Sequence, residues 1–450
     1  MKQRFFDLAD YAIGQLRGTE TLLAGFCGEA SDFVRFNHGR VRQAGSVTQA
    51  FLRLTLIDQG RRLHTTLSLA FEEQADHAAI RSAIQAMRAE LPSLPVDPLL
   101  LYATTVNSSN LERRGELPGA EEALDCVITS AGGVDLVGIF ASGPVFRGFA
   151  NSLGQRNWHR VDSFQMDWSI YVGGDADAKG QHVRDRAAKS TYASETWSAR
   201  ELTHRIHSAR DQLKFLTASP RAIEPGQYRA FLAPAAMDEL VAMLGWDGVS
   251  GRSQRTRQSS LQKLVDGEAA LSPMISLREN TADGLAPSFD DSGFPRPPQV
   301  ALVKAGAHAG AMVSARTAKE YGLEANGASE EESMQSIDLD GGTLPMPEAL
   351  AALDRGILVS NLWYLNFSDR ASCRITGMTR FATFWVESGR IVAPLAVMRF
   401  DDSVYRILGS ELQALTRERE WVQSRSTYGQ RSVESSRVPG ALLTSLTLTL

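Results

Sequence analysis

Metal and nucleophilic chemistry are the first possibilities that the residue types raise. The chain contains eight histidines, but no His-Glu dipeptide occurs anywhere in it. A zinc-peptidase helix needs two His on one face, with a Glu beside the first as general base. The nearest approach is His204 and His207 with Glu201, which would share a face if helical. Arg200, Arg205, Arg210 and Lys214 crowd the same stretch, so a solvated helix surface is the better reading. His308 sits between Gly306-Ala307 and Ala309-Gly310, a setting that reads as a turn. Cys373 stands beside Arg374, a cation that can lower a thiol pKa, but no His partner is identifiable. Gly-x-Ser-x-Gly is absent, and Gly132-Gly133, Gly173-Gly174 and Gly341-Gly342 complete no phosphate loop. Asp338, Asp340 and Gly341 faintly resemble a calcium loop without its closing Glu. By themselves the residues supply no catalytic, cofactor-binding or metal constellation.

The composition narrows the class. A length of 450 residues favours two domains over one core. Hydrophobic residues at 43% and charged residues at 22% are ordinary for a soluble globular protein. A formal net charge of -5 argues against a protein that coats nucleic acid. Arg252, Arg255, Arg257 and Lys263 form a short basic patch in a Ser/Gln-rich stretch, read as a solvated face. Cys27, Cys126 and Cys373 form no CxxC and suggest no disulfide framework, as expected in a reducing cytoplasm. The N-terminal Met1-Lys2-Gln3-Arg4 run leads into no apolar signal core, and no window approaches a membrane span of about 20 apolar residues. The expectation is a soluble cytoplasmic protein.

The elements that would position side chains follow from periodicity. Phe5, Leu8, Ala9, Ala12, Ile13 and Leu16 predict a helix over 3–17. Strands 33–36 and 40–43 flank Asn37-His38-Gly39, a hairpin signal, and Leu52, Leu54 and Leu56 alternate as in a half-buried strand. Asp58-Gln59-Gly60 turns the chain into a strand over 63–69, and helices follow at 74–90 and 119–131. More strands run to 173, and an amphipathic helix spans 199–216. Thr217–Gly226, rich in Pro and Gly, is the linker candidate, before a strand at 228–232 and a helix at 235–246. Residues 281–299 form a Pro-rich loop, 381–386 and 390–393 flank a second hairpin at Glu387-Ser388-Gly389, and Leu446, Leu448 and Leu450 alternate in a terminal strand that should be paired within a sheet. The fold class is α+β: an N-terminal α/β layer with an antiparallel sheet over 1–220 and a β-rich C-terminal domain over 221–450.

Three ordered stretches resemble the TldD/TldE (PmbA) family. Ser31–Gly45 resembles its N-terminal hairpin. Phe289-Asp290-Asp291-Ser292-Gly293 is similar to its Asp-Asp/Ser-Glu-Gly loop, with Ser314-Ala315-Arg316 following. Ile375–Arg380 and Trp385–Pro394 resemble its C-terminal hairpin. The resemblance implies a dimer around an enclosed cavity. TldD-type subunits of the family carry a His-Glu-x-x-x-His helix and a later Cys that hold zinc. An approximate register places Ala242, Met243 and Asp247 at the two His and the Glu, and Ser432-Val433-Glu434-Ser435-Ser436 where the Cys would fall. Neither Ala nor Met can supply the ligand or the base.

The pattern is that of a TldE-type subunit, which the resemblance pairs with a zinc-bearing TldD-like partner in a heterodimer. The expectation is a non-catalytic subunit of a zinc-dependent peptidase that processes or degrades unfolded peptides, with no metal, cofactor or catalytic residue of its own. An extended peptide would be held by backbone pairing along a strand edge. The family is linked to leader-peptide trimming and antitoxin degradation; the gyrase-modulator label comes from that context, and nothing in the sequence indicates nucleic-acid or membrane binding. A homodimeric peptide-binding scaffold is the alternative. A third reading, an enzyme using Cys373 or the Glu201, His204 and His207 trio, has slight support.

Overall fold

The computed structural model describes residues 1–173 and 186–449, so Gly174 and Leu450 lie outside the described residues. Its first sheet grows from the hairpin at the N-terminal motif. His38 and Gly39 both take positive φ, 53° and 64°, so the turn needs only two residues. A turn with both central residues left-handed matches the twist of the strands it joins. The strands are far longer than the motif: β1 (Thr21–Asn37) and β2 (Arg40–Asp58) pair along their whole length. Gln59 and Gly60, at φ 48° and 75°, repeat the device into β3 (Arg61–Ser68). Leu52, Leu54 and Leu56 are fully buried on one face of β2, each stabilising the fold by about 2 kcal/mol.

Two helices cover that face. The first, α1 (Lys2–Ile13), stops earlier than its apolar spacing predicts, because the chain turns out at Gly14. With α2 (Glu73–Glu90) it seals a core of Phe5, Leu8, Phe26, Leu54, Ile84 and Trp158. The sheet is extended by β4 (Ser109–Arg113), β5 (Asp135–Asn151), β6 (Arg156–Tyr171) and β7 (Ala187–Ser194). Among the described residues its seven strands run β3-β2-β1-β5-β6-β4, with β7 also on β6. Helices α3 (Ala120–Ala131) and α4 (Ala199–Leu216) cover the other end. Leu202 and Ile206 of α4 pack with Phe164 and Trp168 of β6, and also with Ala382 and Phe384 of the second sheet, so one core spans both sheets.

The second sheet begins with β8 (Gly226–Leu232) and has thirteen strands. Its remaining strands are β9 (Leu277–Glu279), β10 (Val300–Lys304), β11 (Ala307–His308), β12 (Ser336–Leu339), β13 (Gly356–Val359), β14 (Trp363–Asp369), β15 (Arg374–Met378), β16 (Thr383–Glu387), β17 (Arg390–Pro394), β18 (Arg399–Ser403), β19 (Leu412–Gln423) and β20 (Ser435–Leu448). The terminal strand β20 lies inside the sheet, bonded to β8, β12, β18 and β19. The second hairpin closes on Ser388 and Gly389, at φ 50° and 70°, which again leaves a two-residue turn. Helix α5 (Pro234–Leu244), opened by a Pro whose missing N–H costs nothing at a helix start, buries Met237, Leu240, Val241 and Leu244 in the core of this sheet. Among the described residues, no helix is long and apolar enough to cross a membrane.

Candidate functional site

The structure disperses the histidine and cysteine candidates. His204 and His207 are exposed on α4, and Glu201 is held by Arg205 at 2.7 Å rather than free to bind a metal. His308 sits on β11, where burial lowers its pKa. Cys373 is fully buried, and burial pushes its thiol up to about 12. Arg370 and a hydrogen bond from Ser260 act the other way and lose. A thiol so protonated is a packing residue, not a nucleophile. Asp338 pairs with Arg419 and Arg278, and Asp340 with Arg278, so both belong to an ion-pair network and not to a calcium loop. In the basic patch, Arg257 meets Asp266 at 2.6 Å on an exposed surface.

The expected metal positions do not converge either. Ala242 is exposed on α5, Met243 is buried in the core, and Asp247 is buried against Ser260 and Arg370. A register one turn earlier is the one that reaches the C-terminal strand. Asp238 accepts a hydrogen bond from Ser436 of β20, and Glu239 pairs with Arg425, just beyond β19. A His-Glu-x-x-x-His window laid on Asp238–Met243 therefore puts its first two positions against these partners. The sequence alone does not show which residues of the helix make these contacts, because the rotation of a helix is set by what it packs on, not by composition.

Around that junction lies a half-buried set of charges from both sheets. Asp167 of β6 stands 3.8 Å from Arg425, and Lys189 of β7, Asn361 and Asp238 line the same small void. Burial pushes the Asp167 and Asp238 carboxyls up, with Lys189 and Arg425 opposing at Asp167 and the Ser436 hydrogen bond opposing at Asp238. Burial also pulls the Lys189 ammonium down, against the pull of Asp167. Arg425 is the exception: burial works against its charge, yet Glu239 and Asp167 together hold it protonated more firmly than usual. Zinc does not fit this donor set. It holds no imidazole or thiolate, and its carboxylates face a guanidinium and an ammonium that already supply the positive charge. Among the described residues, no group of three or more His, Cys, Asp or Glu is placed to hold a metal ion.

A large cavity, with a volume of about 620 Å³, is lined by residues of both halves of the chain. One wall is the face of the first sheet that carries Cys27, Arg53, Thr55 and His64; the other is made by the loops around Asp290 and Glu434 and by Arg316 at the start of the short helix Ala315–Tyr321. The Phe289–Gly293 motif forms this rim. Asp290 accepts the N–H groups of Ser292 and Phe294 at 2.9 and 2.8 Å, which folds the loop back on itself. Burial nevertheless pushes its carboxyl up to about 6, against those two bonds and Arg296. Gly293, at φ 86°, lies against the Phe149 ring, where a Cβ would sit 2.8 Å from a ring carbon. Its carbonyl accepts from Gln155 at 2.8 Å, so the loop is anchored on the first sheet.

Sequence reading did not single out Arg431, which fastens the loop between β19 and β20 to the first sheet. It is 2% exposed and donates to the Gly143 and Ser163 carbonyls at 2.9 and 2.8 Å, and to the Ser163 hydroxyl at 2.9 Å. Burial pulls its pKa down to about 10, with Glu29 opposing. Beside it Gln430 contacts Cys27, and Gln49 donates to the Gly429 carbonyl. Nothing in a Tyr-Gly-Gln-Arg-Ser run marks an arginine for burial.

A family model described as the PmbA/TldA metallopeptidase C-terminal domain matches residues 225–449. No curated protein matches the chain. Solved structures match along the whole length. TldE from Thermococcus kodakarensis gives a TM-score of 0.75 at 14% identity, covering 100% of both chains. A putative modulator of a DNA gyrase from Thermotoga maritima gives 0.72 at 14% identity, covering 100% of this chain and 99% of the other. A putative modulator of DNA gyrase from Bacteroides thetaiotaomicron gives 0.75 at 14% identity, covering 100% and 98%. At that identity the structures establish a shared fold, and the family model, which covers half of the chain, establishes kinship. This chain belongs to the metallopeptidase-related TldD/TldE (PmbA) family.

Proposed function

We propose that this chain is the metal-free, TldE-type subunit of a two-chain peptidase, paired with a TldD-like subunit that carries the zinc. The observation that supports this most directly is the junction of α5 with β20, where Asp238 and Glu239 face Ser436 and Arg425 instead of a ligand set. The part left to this chain is to bound a chamber and hold an unfolded peptide near the partner's metal. The cavity of about 620 Å³ between the first sheet and the Asp290 and Glu434 loops suits that part. Its two domains are read as residues 1–220 and 221–450, each built on one of the sheets.

Reconstitution tests the reading. The purified chain, alone and mixed with a TldD-type protein bearing His-Glu-x-x-x-His, is assayed on an unfolded peptide, and zinc is counted per chain after chelator washing. The expected result is no cleavage and no retained zinc alone, and cleavage in the mixture beyond that of the TldD-type protein by itself. About one zinc retained by this chain, or no gain in the mixture, overturns it. In the second case a homodimeric peptide-binding scaffold becomes the better account.

A further inference from the structure

Among the described residues, the hairpin that opens the first sheet leaves one sheet edge uncovered. Strand β2 pairs with β1 from Arg40 to Ile57, but β3 covers its other side only from Phe51 to Asp58. Every residue from Arg40 to Ser46 is exposed. The direction of the open main-chain groups follows from one bond: Ala50 O accepts from Leu69 N on the β3 side. The β1–β2 register is unbroken from Gln43 to Ile57, so the alternation of an antiparallel strand sends the N–H and C=O of Ala44, Ser46 and Thr48 to that same side. None of these six groups has a partner among the described residues.

Three arginines against one acid make this edge basic. Arg35 lies opposite Gln43, and Arg40 and Arg42 flank it at the hairpin tip. All three are exposed, and among the described residues none makes an ion pair. The nearby acid Asp32 is bonded by Ser46. Inside the edge, Phe51, Arg53 and Thr55 of the same strand lead into the large cavity.

We infer that Ala44–Thr48 of β2 receives an extended acidic peptide segment as an added antiparallel strand, with Arg35, Arg40 and Arg42 meeting its carboxylates. Strand addition draws affinity from main-chain bonds, and flanking side chains choose the sequence. A row of like charges on an open edge discourages pairing with a second copy of the same edge, so the occupant is an oppositely charged segment. The inference rests on the peptide-holding part of the function proposed above, but it concerns binding by this chain alone.

Fluorescence anisotropy of the full chain, without a partner, tests it with three labelled peptides of about ten residues: alternating Glu and Val, alternating Lys and Val, and the Glu/Val peptide with every backbone nitrogen methylated. The Glu/Val peptide is expected to bind, and the other two to bind at least about tenfold more weakly, since one lacks the charge and the other the main-chain donors. Ala44→Pro removes an outward N–H without touching the β1 ladder, and should weaken the Glu/Val peptide by about tenfold; Arg40→Gln with Arg42→Gln should do the same. Equal binding of the N-methylated peptide overturns the inference, as does unchanged binding by Ala44→Pro. So does a dimer that Ala44→Pro dissociates, which would place a second copy on the edge. If Ala44→Pro fails to fold, the comparison of the three peptides on the native chain still decides. Cleavage in the reconstituted mixture is read independently, so either idea can fail while the other survives.

Discussion

Arg425 pairs with Glu239 across the gap between the end of β19 and helix α5, and its other side faces Asp167 of the first sheet at 3.8 Å. One guanidinium thus ties a helix of the second sheet to a strand of the first. It does so in the stretch where family resemblance places a metal motif.

Replacing Arg425 by Met should leave Glu239, Asp167 and Asp238 facing one another with Lys189 as the remaining cation. Removal of one member of a buried pair costs about 3–5 kcal/mol. The Arg425 side chain keeps 26% of its surface, which screens the cost to about 2 kcal/mol. Urea unfolding reads the difference, and a midpoint unchanged from the parent would count against the cluster as a structural tie.

Arg431→Ala removes donors from Gly143 O and Ser163 O and empties a fully buried position. The loss should be larger, about 3–5 kcal/mol. Limited proteolysis should then cut within 424–430 before global unfolding, because the loop loses its anchor on the first sheet.

Two buried groups give opposite pH dependences. The imidazole of His159, bonded to Leu285 O at 2.9 Å, is pulled down to about 4 by burial, from 6.5. The unfolded chain binds the proton first, so stability present above pH 6.5 falls as pH drops toward 4, by about 3 kcal/mol. Asp290, raised to about 6, binds its proton first in the folded state. Its ionisation therefore removes about 3 kcal/mol as pH rises from about 4 through 6. His159→Gln should flatten the acid loss. Asp290→Asn keeps the acceptor for Ser292 and Phe294 and should stabilise the protein at pH 7.5 but not at pH 4. Denaturation midpoints at both pH values, taken for both variants, check the two signs.

Alkylation separates the thiols. Cys373 is fully buried with its pKa near 12, whereas Cys27 and Cys126 are half-buried. Iodoacetamide at pH 8 should leave Cys373 unmodified in the native protein and label it only in denaturant. Native labelling of Cys373 at the rate of Cys27, read by mass spectrometry, would revive it as a reactive group.

What was legible in the sequence was local. The Leu52, Leu54, Leu56 alternation shows the buried face of β2, since side chains alternate along a strand whatever lies on it. His38-Gly39, Gln59-Gly60 and Ser388-Gly389 marked the turns, because left-handed backbone is needed there and glycine adopts it freely. The missing His-Glu pair was equally plain, as it depends on residue identity alone. The tertiary structure decided which side chains meet. Asp238 finds Ser436 at a separation of 198 residues, and Arg431 finds Ser163 at 268. No periodicity carries such pairings, because they depend on how two sheets stack and on where a loop end is buried. For the same reason only the structure shows that Asp238 and Glu239 are the residues of α5 that meet Ser436 and Arg425: residue types define a helix, while its rotation and depth come from the strands it packs against.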